Sequence, residues 1–255
     1  MPEETSPEAT PEEKPAAMPL FYRQPEVLNV PQHGTLTLKP TGKFTFAAKA
    51  NCVPVLLEEM SKLVAHYPVI FTAGEEPILV AVTGLRNDEN LYVDDDGTWE
   101  AETYIPAYVR RYPFVLTEMP DKKFALAAET DDADFFAEGG TPLFADGKPT
   151  EAAANAFRFC DGFQRSFEET REFCKAMRDS GLLEAKTCTV TVPNSQPFNL
   201  SGFSVVNAKA LDEIDNHHAN DWRKRHWLGA VYLHLASLDS MRFLAVRKAK
   251  RMAKA

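Results

Sequence analysis

The stretch Tyr104-Ile-Pro-Ala-Tyr-Val-Arg-Arg-Tyr-Pro-Phe114 restricts the chain more tightly than any other. Pro106 has no amide proton and suits the first position of a helix, while Pro113 disfavours helical geometry at Tyr112. The segment between them therefore predicts a helix of about two turns at most. Tyr104, Tyr108 and Tyr112 recur every four residues and would share one aromatic face, with Arg110 and Arg111 leaving on other sides. Aromatic residues at this spacing usually belong to a core, and arginines beside them pair with carboxylates or stack on rings. Asp94, Asp95 and Asp96 are the nearest candidates for such pairs. The competing reading is an exposed, anion-tolerant surface. On that reading Trp99, Tyr104, Tyr108, Arg110, Arg111 and Tyr112 are the candidate binding residues.

Around this motif the pattern alternates short strands with helical stretches. Gly34–Lys39, Phe44–Phe46, Val69–Thr72, Ile78–Val82, Phe114–Glu118, Phe124–Ala128, Thr187–Val192 and Phe203–Val206 read as strands. Ile78–Val82 is almost unbroken in its apolar character and so is placed in the middle of a sheet. Asp96-Gly97 marks a hairpin-type turn after Leu91–Val93. Apolar residues at Val55, Leu56, Met60, Leu63 and Val64 predict an amphipathic helix over Val55–His66. The longest predicted helix starts at Thr150 and ends at Ser180-Gly181, with Ala156, Cys160, Phe163, Phe167, Cys174 and Met177 on one stripe interrupted by Thr170. A last helix runs from Trp227 to about Lys250. Successive strands joined by tight turns imply antiparallel pairing, so the expected class is α+β: a mainly antiparallel sheet packed by a long amphipathic helix, with a C-terminal helical element.

The chain divides into residues 1–17, an acidic proline-rich segment expected to be disordered, residues 18–246, and a basic tail over 247–255. Within the middle region, Leu182–Asp215 reads as a small unit that could extend to residue 246. With 255 residues and 44% hydrophobic content, a substantial core is available. A net charge of −9 makes nucleic acid a poor partner for the whole molecule. No apolar run reaches the roughly 18 residues of a membrane span, and the first residues carry no apolar core of a secretory leader. The four cysteines have no paired spacing and read as reduced thiols, which favours the cytosol.

No motif for a well-marked enzyme class occurs: no nucleophile elbow, phosphate-binding loop, dinucleotide fingerprint or zinc-protease pair of histidines. His217, His218 and His226 lie among Asp212, Glu213, Asp215 and Asp221, but a polar linker explains them better than a metal site. Asp94-Asp-Asp-Gly97 lacks the spacing of a calcium loop and reads as a turn. Glu100 and Glu102 would share a face if they lay on a strand. Arg242, Arg247, Lys248, Lys250, Arg251 and Lys254 could attract an anionic polymer, though cations also suit a helix C-terminus. No cofactor or metal is expected.

Tyr67–Phe71, Gly84-Leu85 with Asn90-Leu91, Asp96–Trp99, the Tyr104–Phe114 motif, and Leu143-Phe144 with Asp146–Glu151 together resemble the bacterial SapC family, as does the stretch from Leu228-Gly229 to Ser237-Leu238. The resemblance spans about Met18 to Val246 and excludes both charged ends. It implies a link to the surface layer, after which the family is named, or to envelope uptake systems, since relatives tend to be encoded beside TonB-dependent receptors. It supplies no catalytic residue. The expectation is a non-catalytic accessory protein acting through protein partners, envelope or surface-layer components among them, with homo-oligomers open. The alternative is an enzyme or enzyme subunit in a modification pathway with cupin-like or tryptophan-halogenase-like partners, using a pocket lined by Arg110, Glu100, Glu102 and a histidine.

Overall fold

The apolar runs around residues 70 and 80 form the centre of the structure. A computed structural model of the chain describes residues 18–39, 41–120 and 122–254; the acidic segment 1–17 lies outside the described residues. In chain order the principal elements are β1 (Cys52–Pro54), β2 (Val69–Thr72), β3 (Leu79–Val82), α1 (Ala107–Arg110), β4 (Phe114–Glu118), β5 (Phe124–Ala128), α2 (Glu151–Asp179), β6 (Leu183–Val190), β7 (Phe198–Val206), α3 (Asn216–Lys224), α4 (Trp227–Ser237) and α5 (Met241–Met252). The main sheet has five antiparallel strands in the order β6-β7-β2-β3-β1. All four residues of β3 are buried, as continuous apolar character demands of a strand covered on both faces.

Pairing of Phe203 with Thr72 and of Ser204 with Phe71 joins the β6–β7 hairpin to this sheet. A second antiparallel sheet places β5 between β4 and the short strand Glu26–Val27. The fold is therefore α+β, with antiparallel sheets, one long helix and a helical C-terminal end.

Helix α2 ties the two sheets together. At about 1.5 Å per residue, its 29 residues span roughly 43 Å. Its first half places Ala153 and Cys160 against Phe114, Ala128 and Leu143. Phe163 then meets Tyr108, Ala107 and Leu56, and the last turns deliver Phe173, Cys174 and Met177 to the main sheet. Thr170, the interruption in the apolar stripe, is buried; its hydroxyl accepts from Leu57 N at 2.9 Å and donates to Ser166 O at 2.7 Å.

Three local expectations give way to longer-range contacts. Phe44–Phe46 is not a strand: Thr45–Ala47 forms a single 3-10 turn, which puts Phe46 flat against Tyr112 at 4.0 Å between ring centroids. The helix predicted from Val55 begins later, as a 3-10 turn at Leu57–Glu59 followed by Met60–Leu63, because Val55 N donates to Leu79 O and prolongs the sheet edge. Residues 100–103 form a turn and no strand, with Glu102 at φ 61, so Glu100 and Glu102 do not form a strand-facing pair.

The C-terminal helices close the structure. Phe71 lies between Phe173 and the His234 ring, at centroid distances of 6.0 and 5.0 Å. His234 is fully buried, and its Nε2 accepts from Val206 N at 3.1 Å, so the ring is neutral. Helix α5 is pinned by its cations: Arg247 to Glu100 at 2.6 Å, Lys248 to Glu89, and Arg251 to the carbonyls of Asn90 and Val93. These partners lie about 150 residues away in the chain, so three of the tail's charges are spent inside the molecule. Lys250 and Lys254 stay exposed.

Burial pulls the His234 pKa down to about 4 from its ordinary 6.5. Between those values the unfolded chain binds the extra proton, so stability is full above pH 6.5 and falls as the pH drops towards 4. We expect this one group to cost about 2–3 kcal/mol at pH 4.5 relative to pH 7. Urea unfolding at both pH values should show the acid loss shrinking by that amount in His234→Gln, which keeps a hydrogen-bond acceptor but cannot titrate.

Candidate functional site

Glu59, three residues after Leu56, is where the Tyr104–Phe114 motif is anchored. Its side chain is 3% exposed. One carboxylate oxygen accepts from Leu56 N at 2.9 Å; the other accepts from Ala107 N and from the Tyr104 hydroxyl, both at 2.7 Å. A buried carboxylate needs such donors, because an unpaired ion in a low-dielectric interior is costly. The amide it satisfies is the first of α1, which Pro106 precedes with φ −55 and ψ 144.

Because α1 covers only Ala107–Arg110, the four-residue tyrosine spacing does not produce one face. The three rings enter three different clusters. Tyr104 borders the main core beside Tyr67, whose hydroxyl donates to Tyr104 O at 2.5 Å and accepts from Trp99 Nε1 at 3.2 Å. Tyr108 packs on Phe163 and donates to Leu20 O at 3.1 Å. Tyr112 joins Tyr22, Phe46 and Phe135 and donates to Asp132 at 2.7 Å. The Tyr112–Pro113 peptide is cis. Trp99, Tyr108 and Tyr112 are buried and Tyr104 is half-buried. Burial raises the pKa of all three tyrosines, for Tyr104 to about 12 with Glu59 adding to the effect, so each phenol stays protonated as a donor.

The two arginines, adjacent in sequence, have opposite environments. Arg111 is 8% exposed and lies over Tyr108 at 4.1 Å and Phe163 at 4.4 Å, with Tyr22 at 5.6 Å. Among the described residues no carboxylate pairs with it, and its Nε has no hydrogen-bond partner; the ring faces hold the charge. Arg110 is 41% exposed. Its Nε donates to Ile105 O at 2.9 Å, its Nη2 donates to the Tyr104 hydroxyl at 3.0 Å, and the guanidinium stacks near Phe159 at 5.3 Å. Neither arginine uses Asp94, Asp95 or Asp96. Asp96 instead pairs with Lys43, and Asp94 accepts from Thr98 N, as the turn requires.

Arg110 and Tyr104 line a cleft of about 450 Å³ with Leu56, Glu58, Lys62 and Phe159. The Lys62 ammonium stands over the Tyr104 ring at 5.3 Å, and no carboxylate pairs with it among the described residues. A guanidinium has five N–H donors, and Arg110 uses two, leaving Nη1 and one Nη2 hydrogen for a ligand. Its hydrogen bonds and its stacking fix that open edge in place. Lys62, Glu59 and Phe159 were not distinguished by local pattern; only the three-residue spacing of Glu59 and Lys62 hints that they share a helical side.

A larger recess of about 700 Å³ lies beside Tyr112, bordered by Phe21, Phe46, Arg23, Lys49 and several carboxylates. Two of those carboxylates are already occupied: Glu129 accepts from the amides of Arg23 and Gln24, and Asp132 from Tyr112. Glu100 lines neither space, being held by Arg247, so the grouping of Arg110 with Glu100, Glu102 and a histidine is not assembled. Cys160 and Cys174 are buried, and burial pushes their thiols up to about 11 and 12, which keeps them protonated. Asp215, His217 and His218 come together at the surface, where Asp215 caps α3 by accepting from both histidine amides.

The SapC family model matches residues 28–244, and so takes in the whole main sheet, β4 and β5 of the second sheet, α2, α4 and the whole of the cleft. The chain belongs to the SapC family. No curated protein and no solved structure matches it. No helix among the described residues is long and apolar enough to cross a membrane.

The two arginines of this SapC chain should separate in a stability measurement. Arg111→Ala removes a side chain from among three rings and should lower unfolding free energy by about 2–4 kcal/mol. Arg110→Ala, at the surface, should change it by less than about 1 kcal/mol. Chemical denaturation of both variants checks this directly.

Proposed function

We propose that this SapC-family chain is a non-catalytic accessory protein that works by holding a protein partner, with an acidic segment of that partner seated in the cleft between Lys62 and Arg110. The observation that carries the reading is the Arg110 guanidinium, oriented by Ile105 O, Tyr104 and Phe159 while its outer edge stays open beside an unpaired ammonium. A pre-positioned fork next to a second cation suits a carboxylate and avoids the entropic cost of ordering a free arginine side chain. The half-buried rings of Phe159 and Tyr104, which line the cleft, give apolar flanks to the same partner segment. By family resemblance, the partners are sought among surface-layer components or envelope uptake systems, with the chain acting there as a peripheral protein.

Of the candidate residues, Tyr104 and Arg110 face the partner on this reading. Trp99, Tyr108, Arg111 and Tyr112 act from behind, by fixing the short helix that carries Arg110.

Tagged wild-type chain and the Lys62→Ala/Arg110→Ala variant, each purified from cytosolic and envelope fractions of source cells, test the proposal. The wild type should retain a protein partner in the envelope fraction, and the variant should lose it at an unchanged unfolding midpoint. Equal retention by the variant would contradict the cleft's role. Recovery only in the cytosol with a cupin-like or flavin-dependent protein would favour the enzyme-subunit alternative.

A further inference from the structure

Helices α4 and α5 are joined by a 3-10 turn at Leu238–Ser240 with αR geometry at both junctions, so residues 227–252 form one nearly continuous rod. One side of the rod is buried through Trp227, Val231, His234, Ser237, Leu244 and Lys248. From Trp227 to Leu238 the chain has no acidic residue, lysine or arginine. An amphipathic surface helix carries polar residues opposite its core stripe, whereas a helix that is apolar all round is covered on both sides. Here the outer side bears Tyr232 at 60% and Val246 at 51% exposure; Leu228, Leu235 and Ala249 beside them pack in part on the main core and keep the rest of their surface open.

With about 100° per residue in the helices and 120° in the 3-10 turn, Tyr232, Asp239, Arg242 and Val246 fall on one line along that outer side. Asp239 and Arg242 are both exposed, and no ion pair joins either to another described residue; Arg242 only rests on its own neighbour Phe243, at 5.0 Å.

We propose that this face is the contact of a symmetric dimer, in which the rod packs antiparallel on the same rod of a second copy. The charge order selects the occupant. An antiparallel two-fold placed between Asp239 and Arg242 sets each aspartate against the other copy's arginine, making two equivalent ion pairs. The same register sets Leu235 against Val246 and Tyr232 against Ala249, twice each. The stripe is therefore complementary to itself in both charge and apolar pattern, as an isologous contact requires. The two ion pairs sit between apolar flanks, where they fix register.

Sedimentation equilibrium of the full chain tests this. The wild type should be a dimer at about 10 µM, and Tyr232→Glu should make it a monomer at that concentration with its circular dichroism retained. Asp239→Arg or Arg242→Asp alone should weaken the dimer about tenfold or more, by opposing like charges. The double swap Asp239→Arg/Arg242→Asp should restore it to within about threefold of wild type, because it rebuilds both pairs with reversed sign. A wild type that stays monomeric up to about 100 µM overturns the proposal, as does a dimer that either single swap leaves unchanged or the double swap fails to restore. The cleft at Arg110 enters none of these variants, so partner capture and dimerisation are read separately.

Discussion

The buried Glu59 carboxylate is the constraint on which the central motif depends. Among the described residues its ion-pair partner is Arg110, whose Nη2 stands 4.0 Å away, beyond hydrogen-bond range. Instead it gathers the Leu56 amide, three residues before it, together with a phenol and a backbone amide 45 and 48 residues further along the chain. An ion that has left water must be fully satisfied where it lies. Satisfying Glu59 fixes the start of α1, the Tyr104 ring and the turn at Leu56 together. Arg110 inherits its position from that arrangement: Tyr104 gives its proton to Glu59 and accepts from Arg110 with its oxygen.

Around this anchor the molecule separates buried charge from presented charge. Arg111 is absorbed by three rings, and Arg247, Lys248 and Arg251 by a helix-to-loop seam, so these cations serve cohesion. Lys62 and Arg110 remain outward with spare hydrogen-bonding capacity. The tyrosines divide likewise: raised pKa values keep their hydroxyls as donors to Glu59, Leu20 O and Asp132. Much of the polarity in the Tyr104–Phe114 motif is therefore spent on joining three apolar clusters, and the part left for a partner is small and specific.

The strands at 69–72, 79–82, 114–118 and 124–128 and the long helix were legible because their apolar periods are local properties of the chain. The fate of Phe46 was not, because its ring stacks on Tyr112, 66 residues away, and this favours a tight turn over a strand. The tyrosine face failed for a related reason. A four-residue repeat makes a face only where the helix persists, and α1 lasts a single turn. Arg110 and Tyr104 could be singled out from sequence, but Lys62, Glu59 and Phe159 could not, since only the folded chain brings residues 59, 104 and 159 to one cleft. The basic C-terminus could not be read correctly without Glu89 and Glu100, which lie in a distant loop.

The most direct measurement is a double-mutant cycle between Glu59→Gln and Tyr104→Phe, followed by urea unfolding. If the buried carboxylate holds the motif through this phenol, the two changes should be coupled by about 1.5–3 kcal/mol. Losses that add to within about 0.5 kcal/mol would contradict the account, and would leave Arg110 positioned by something other than the Glu59–Tyr104 bond.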